Sequence, residues 1–134
     1  MSLPPVVLQG RVIKEGTAEG EVLYSAEPIG FLGGVDPQTG VVTEKGHPLE
    51  GQCVAGKVLV FPTGKGSTVG SYVLYQLAAN DRAPAAILNA ESEPIVAVGA
   101  IIGEIPMVDQ LPIETLHSGD RVRVEGGQVL VWPA

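Results

Sequence analysis

A short glycine-rich run carries the residues of this sequence that are best suited to chemistry. Gly64-Lys65-Gly66-Ser67 follows an apolar segment, 57–61, that is typical of a buried strand. The segment after it predicts a helix that opens at Ser67 or Thr68. Backbone N–H groups at the start of a helix, together with the helix dipole, favour negative charge. The loop is therefore predicted to bind an anionic ligand or to hold an activated oxygen.

The spacing of the glycines does not fit the two common phosphate-binding motifs. A Walker A loop needs Gly, four residues and then Gly-Lys-Ser/Thr, whereas Lys65 is followed by Gly66, and Leu59 stands where the first glycine belongs. Gly64, Gly66 and Gly70 miss the dinucleotide-binding spacing by one residue. These residues therefore favour neither ATP hydrolysis nor a complete nicotinamide-binding fold.

Ser67 has a structural and a chemical interpretation. As a helix N-cap, its hydroxyl would accept a hydrogen bond from a first-turn N–H group. A serine nucleophile needs a histidine base, and only His47 and His117 are present, without a Gly-x-Ser-x-Gly elbow. The remaining chemical role is an alkoxide base that Lys65 and the neighbouring N–H groups stabilise.

Other polar side chains are more typical of structure than of chemistry. Asp36 begins a run with Pro and Gly that is typical of a tight turn, although a catalytic acid is the alternative. His47 is expected to be structural or at the surface. Cys53 lies in an apolar run, which predicts burial. Lys65 suits a carboxylate or phosphate partner, and Ser71 is expected to be exposed or bonded back to its helix.

Composition bounds the function of this chain of 134 residues. A net charge of −7, with no basic cluster, argues against nucleic acid. One cysteine and two histidines disfavour a metal site within the chain, so any metal is expected on another polypeptide. The apolar runs are too short to span a membrane, and the first residues do not resemble an export signal. We expect a cytoplasmic protein with a single domain, 1–134.

The first half of the chain predicts strands and one long connection. Two strand-like segments lie at 6–14 and 19–24. The segment 25–50 is rich in Gly and Pro, and its apolar residues favour an ordered connection presented at the surface.

The second half predicts a β-rich α/β fold. The strand at 57–61, the helix after it and a buried strand at 85–89 form a βαβ unit with parallel strands. Residues 95–105 suit a strand, a helix, or a strand followed by a short helical turn, because periodicity alone does not separate them. Residues 105–108 are expected to pair into the sheet. Residues 120–132 carry Gly-Gly between two strand-like runs and predict a C-terminal β-hairpin.

Four motifs together resemble the small subunit of the aconitase X family. In chain order they are Phe31-Leu32-Gly33-Gly34-Val35-Asp36-Pro37-x-Thr39-Gly40, His47-Pro48-Leu49-x-Gly51, Ala55-Gly56-Lys57-Val58-Leu59-Val60-Phe61-Pro62-x-Gly64-Lys65-Gly66-Ser67-Thr68-Val69-Gly70-Ser71-Tyr72 and Gly99-Ala100-Ile101-Ile102-Gly103-Glu104-Ile105-Pro106. The third also resembles the Gly-x-Gly-Ser loop of the aconitase swivelling domain, where the serine exchanges the α-proton of the substrate. Aconitases continue with Ser-Arg, whereas Thr68-Val69 follow here, so citrate-type carboxylate binding is not expected.

The resemblance implies a swivelling β/β/α domain and a reversible dehydration. By the resemblance, Ser67 would remove a proton from the substrate. The iron of a 4Fe–4S cluster would take the hydroxyl, and a separate large subunit would carry that cluster. Gly64, Lys65, Gly66 and Thr68 would bind the substrate. The first implied substrate is (R)-5-phosphomevalonate, converted to trans-anhydromevalonate 5-phosphate in the archaeal mevalonate route to isoprenoids. The alternative substrate is cis-3-hydroxy-L-proline.

Further expectations concern the surroundings of this loop. Gly33, Gly34 and Asp36 form a possible site loop. Activity is expected only in a heterodimer, or a multiple of one, with the large subunit. A stand-alone domain that binds a phosphorylated ligand is the alternative from another functional class.

Overall fold

The computed structural model describes residues 4–134 and contains eight strands and two α-helices within that range. The elements in chain order are β1 (Val6–Gln9), β2 (Arg11–Lys14), β3 (Thr17–Tyr24), β4 (Val58–Phe61), α1 (Gly70–Ala79), β5 (Ala86–Asn89), α2 (Pro94–Ile102), β6 (Met107–Asp109), a 3-10 turn (Ile113–Thr115), β7 (Arg121–Glu125) and β8 (Gln128–Trp132). No helix in this part of the chain is both long enough and apolar enough to cross a bilayer.

The strands form one sheet in the order β1-β8-β7-β3-β4-β5-β6-β2. Strands β3, β4, β5 and β6 run parallel to one another, and every other neighbouring pair is antiparallel. Strands β1 and β2 lie at opposite ends of this order although one residue separates them in the chain. The chain therefore joins the two ends of the sheet.

Gly10 is the residue at which this joining happens. The sequence predicted one strand-like segment over 6–14, which is wrong because Gly10 divides it into two strands with different partners. Its N–H donates to the carbonyl oxygen of Gly127, at 2.9 Å. A Cβ atom at position 10 would lie only 2.5 Å from the carbonyl oxygen of Asp109. Only glycine permits so close an approach of two backbones.

The predicted βαβ unit is confirmed. Strands β4 and β5 are adjacent and parallel, with Leu59 opposite Ile87 and Phe61 opposite Asn89. Helix α1 connects them, and its buried residues, Gly70, Val73, Leu74 and Leu77, recur at helical spacing. All residues of both strands are buried, as expected for parallel strands covered on two faces.

The apolar run 95–105 resolves into a helix followed by an irregular link. Helix α2 begins at Pro94, and the Glu93 carboxylate caps it by accepting from the N–H groups of Ile95 (3.0 Å) and Val96 (2.7 Å). Proline has no backbone N–H group and is well suited to the first helical position, because an N–H group there would have no intrahelical acceptor. The strand expected from residue 105 starts only at Met107, since the N–H of Ile105 bonds instead to Ala100.

The C-terminal hairpin is confirmed in strands β7 and β8. The two strands pair from Arg121–Trp132 to Glu125–Gln128, and Gly126-Gly127 form the turn. Their inward residues alternate along the strands and are Val122, Val124, Val129 and Val131. The pattern is that of a sheet with one buried face.

Two apolar clusters lie on the two faces of the central strands. Leu59 and Phe61 point into the cluster beneath the helices, whereas Val58 and Val60 point into the cluster shared with the hairpin. This alternation follows from the period of two along a strand. The result is a hairpin layer, a parallel layer and a helix layer, which confirms the expected β-rich α/β fold of β/β/α type.

Candidate active site

The loop that carries Ser67 lies at the carboxyl end of β4 and is bound to an earlier segment of the chain. Ile29 and Gly64 form a parallel bridge, in which the N–H of Lys65 donates to Ile29 (3.1 Å) and the N–H of Ile29 donates to Thr63 (3.3 Å). Residues 65–69 beyond the bridge are exposed. The backbone is thus fixed at one end of the loop while Ser67 faces solvent.

Helix α1 begins later than the sequence predicted. Its first residue is Gly70, and Thr68 and Val69 form a turn ahead of it, so the expected start at Ser67 or Thr68 is wrong by two to three residues. The Ser67 hydroxyl still accepts a hydrogen bond, from the N–H of Val69 at 3.2 Å. The Ser67 carbonyl accepts from Gly70 at 2.9 Å. Ser67 therefore precedes the helix and partly satisfies its first N–H groups.

Three successive N–H groups in the loop are available to a ligand. Among the residues that the structure describes, the amides of Gly66, Ser67 and Thr68 have no protein acceptor. They lie immediately before the amino end of α1, where no acidic residue occupies the first turn. Unpaired N–H groups at a helix start suit an anion or a developing oxyanion.

Lys65 forms an ion pair within the chain. Its Nζ donates to the Oε2 of Glu44 at 2.9 Å, and both side chains are partly exposed. The carboxylate that Lys65 contacts here belongs to the chain itself, and its binding of a substrate group stays a prediction. Exposed ion pairs contribute little stability, so this contact can exchange for another anion at low energetic cost.

The predicted site loop divides into two parts. Gly33 and Gly34 hold Thr43, the residue before Glu44. The Thr43 hydroxyl donates to the carbonyl of Gly33 (3.2 Å), and its N–H donates to the carbonyl of Gly34 (2.9 Å). These two glycines thereby connect to Lys65 through Glu44.

Asp36 lies elsewhere and acts as a turn residue. Its carboxylate accepts from the N–H of Gln38 at 2.8 Å, and its carbonyl accepts from Gly40 at 2.8 Å. The turn is held against the far end of α1, where Asn80 donates to the carbonyl of Pro37. Since ten helical residues span about 15 Å, the structure does not bring Asp36 together with Ser67.

Glu93 is a residue of this region that sequence reasoning missed. Besides capping α2, its carboxylate lies where a Cβ atom on Gly64 would stand, together with a methyl group of Val96. The N-terminus of α2 is therefore neutralised by a carboxylate of the chain, whereas no acidic side chain lies in the first turn of α1. The available signal was Glu followed by Pro at a helix start, which is weaker than Ser, Thr, Asp or Asn.

Asp109, the last residue of β6, holds the backbone that leads into Glu93. Its buried carboxylate accepts two bonds from the Arg11 guanidinium (3.0 and 2.8 Å) and one from the N–H of Ser92 (3.0 Å). Burial alone would raise the pKa of Asp109, but the bonds from Arg11 and Ser92 outweigh it and lower this pKa below its usual value. The bond to Ser92 fixes the backbone immediately before Glu93.

His47 and Ser71 have structural roles. The buried His47 ring accepts from the N–H of Leu49 at Nδ1 (3.1 Å), which leaves Nε2 to donate to Pro28 (3.1 Å). The structural interpretation of His47 is thus confirmed. Ser71 donates to the carbonyl of Ile95 at 2.6 Å and so links α1 to α2 instead of bonding back to its own helix.

Cys53 contradicts the expectation of burial. It is exposed, and its thiol donates to the carbonyl of Thr39 at 3.4 Å. The short bridge between Val41 and Cys53 places it on the surface connection instead of in the core. The described residues contain no group of three or more His, Cys, Asp or Glu that would hold a metal ion. Residues 4–134 therefore do not bring together the ligands of an iron–sulfur cluster.

The fold and the loop define the class of protein. A family model described as the aconitase X swivel domain matches residues 7–131, so the chain belongs to that family. A crystal structure of Thermococcus kodakaraensis aconitase X in its holo-form superposes with a TM-score of 0.92 at 55% identity, covering 94% of this chain and 98% of that one. A solution NMR structure of a UPF0107 protein gives 0.86 at 48% identity, with the same coverage of both chains.

The chain is also similar to curated relatives that carry a specific protein name. The chain is 62% identical to the phosphomevalonate dehydratase small subunit of Methanosarcina mazei over 127 residues, which is 92% of this chain and 88% of the relative. It is 57% identical to the protein of the same name from Thermococcus onnurineus over 124 residues, which is 92% of this chain and 95% of the relative. Nearly the whole chain is therefore comparable with these small subunits.

Proposed function

We propose that this chain is the small subunit of a hydro-lyase of the aconitase X type that dehydrates (R)-5-phosphomevalonate to trans-anhydromevalonate 5-phosphate. The observation that carries the proposal is the exposed Ser67 loop, with three unpaired N–H groups, in a chain so similar to named phosphomevalonate dehydratase small subunits. The reaction would belong to the archaeal mevalonate route to isoprenoids. The expected location is the cytoplasm, with neither membrane nor nucleic acid as a partner.

Ser67 is proposed as the base of this dehydration. The substrate is a 3-hydroxy acid, so its most acidic C–H bond lies on the carbon next to the carboxylate. In the proposed step that proton passes to the Ser67 oxygen and the C–H electron pair forms the double bond. The hydroxyl leaves the neighbouring carbon with the C–O electron pair, as hydroxide, for which the large subunit would supply the Lewis acid. The N–H of Val69 supports this role, because it donates to the Ser67 oxygen and would stabilise its alkoxide.

The rest of the loop is proposed to hold the anionic ends of the substrate. Gly64, Gly66 and Thr68 would contribute backbone groups just ahead of α1, and Lys65 would contribute a charge. Until the substrate binds, Lys65 would stay in its ion pair with Glu44. A phosphate carries more charge than a single carboxylate, so it competes well for Lys65. Gly33 and Gly34 would act indirectly, by positioning Glu44.

A large subunit is the proposed partner, and it would carry the 4Fe–4S cluster. The name of the curated relatives, small subunit, supports a larger companion chain. The donors available in this chain also favour a cluster held elsewhere, since Cys53 lies on the surface connection and not at the Ser67 loop. The chain's own share of the reaction is then substrate binding and proton transfer.

Assays of the two-subunit complex test the proposal. The chain is co-expressed with the large subunit from the same genome, and dehydration of (R)-5-phosphomevalonate and of cis-3-hydroxy-L-proline is followed by NMR. We expect turnover of the phosphorylated substrate alone. Turnover of hydroxyproline alone would identify the other dehydratase of the family. Tight binding of a phosphorylated ligand by the isolated chain, without turnover in the complex, would instead support a stand-alone binding domain.

A further inference from the structure

The two helices expose an apolar face that carries no charge. Neither the ten residues of α1 nor the nine of α2 include Asp, Glu, Lys or Arg, although 17% of the whole chain is charged. Surface helices of globular proteins normally place charged residues on the face away from the core. This outer face of the helix layer therefore does not have the composition of a surface that stays in water.

Large apolar side chains occupy the face. Those that are about half exposed are Leu32, Val69, Tyr72, Tyr75, Val98, Ile101 and Ile102. We call these seven residues the helix patch. The rings of Tyr72 and Tyr75 stack at a centroid distance of 6.1 Å and an interplanar angle of 25°. Two half-exposed tyrosines alone leave about 200 Å² of aromatic residue surface in water.

The helix patch is one continuous surface because the two helices lie side by side. Gly99 of α2 packs so closely on Leu74 and Ser71 of α1 that a Cβ atom would meet Leu74 at 2.6 Å. Farther along, Gly103 lies next to Ala78, so the two helices run in the same direction. Contiguous apolar surface on this scale marks a binding surface more often than free surface.

The patch reaches the candidate active site. Val69 is two residues beyond Ser67 and donates to its hydroxyl, and the backbone of Leu32 lies beside Gly70 at the start of α1. A partner that presents an iron centre to Ser67 would therefore extend over this end of the patch. A second copy of this chain placed there would instead cover the Ser67 loop and exclude that partner.

We infer that the helix patch is the surface on which the large subunit docks, an inference that rests on the proposed function. The complementary surface is expected to be apolar and uncharged, with hydrogen-bonding groups opposite the two tyrosine hydroxyls. Burial of the patch places Ser67 at the margin of the interface, where water is excluded from the reacting groups. Docking and catalysis are then linked through the Ser67–Val69 segment.

Two lysine substitutions on the helix patch test the inference. Tyr75→Lys combined with Ile101→Lys places two cations on the patch at positions about half exposed, away from the Ser67 loop. The matched control is Val6→Lys with Val7→Lys, which adds the same charges at equally exposed apolar positions of β1. Circular dichroism and thermal unfolding establish that both variants are folded, and calorimetry measures their affinity for the isolated large subunit.

We expect the patch variant to bind the large subunit at least about 100-fold more weakly than the parental chain, while the control binds normally. Equal loss in both variants, or unchanged binding of the patch variant, would overturn the docking surface. The docking surface would also be overturned if light scattering shows that the parental chain is a dimer and that the patch variant is a monomer which still binds the large subunit. The proposed function fails separately, if the intact parental complex does not dehydrate phosphomevalonate.

Discussion

The carboxylate of Glu93 caps helix α2 and at the same time lies directly against Gly64, the first residue of the loop that carries Ser67. Behind it, the N–H of Ser92 donates to the buried carboxylate of Asp109, which Arg11 holds in turn. The position of the loop is thus set by a helix cap and an ion pair on two other elements. The proton transfer proposed for Ser67 needs this precision, since small displacements of the reacting atoms are costly.

Gly64→Ala is expected to disturb the loop without unfolding the domain. A methyl group at this position would meet the Glu93 carboxylate and Val96, so the loop backbone has to shift. In the complex we expect kcat/KM to fall about 10- to 100-fold. Adding Glu93→Ala removes one of the two obstructions and gives a double-mutant cycle. Strictly additive losses would mean that the two residues do not act through one contact.

Lys65 and Glu44 are expected to have opposite effects on substrate affinity. Lys65→Met removes the charge proposed to bind the phosphate, so KM should rise about tenfold or more with a smaller change in kcat. Glu44→Gln frees Lys65 from its ion pair and should lower KM. Glu21→Gln, which weakens the separate surface pair with Lys57, is the control. A rise of KM in Glu44→Gln would indicate that the pair positions Lys65 instead of competing for it.

Because of Asp109, the stability of the domain should fall as the pH is lowered into the acid range. Its pKa is lowered in the folded chain, so it contributes stability above its unfolded value of about 3.9, and this stability is lost as the pH falls through the folded pKa. We expect Asp109→Asn to be less stable at neutral pH and to lose less stability between neutral pH and acid. Urea unfolding at a series of pH values measures both. Glu114→Gln, at an exposed acid, should retain the parental pH dependence.

Local patterns predicted the elements that depend on local interactions. The hairpin at Gly126-Gly127 and the βαβ unit around α1 follow from alternation, turn residues and buried runs, and the structure has both. The division of 6–14 at Gly10 was not predictable in this way. It depends on the backbones of Asp109 and Gly127, about a hundred residues away in the chain.

The surroundings of the site show the same limit. The sequence singled out Ser67 and Lys65 because their loop has a recognisable composition, and it placed the start of α1 within three residues. It did not reveal Glu93, whose contact with Gly64 needs the approach of two separate helix starts. It also placed Cys53 in the core, because an apolar run does not distinguish a buried strand from a surface bridge.

Replacement of Ser67 by alanine tests the proposed role of this residue as the base. The complex is formed with Ser67→Ala and assayed in D₂O, so that NMR reports both dehydration and exchange of the proton next to the substrate carboxylate. Ser71→Ala is the control, since that hydroxyl bonds to Ile95 between the helices. We predict that Ser67→Ala assembles normally and loses at least about 100-fold in both rates. Parental rates of dehydration and exchange in an intact Ser67→Ala complex would show that Ser67 is not the base.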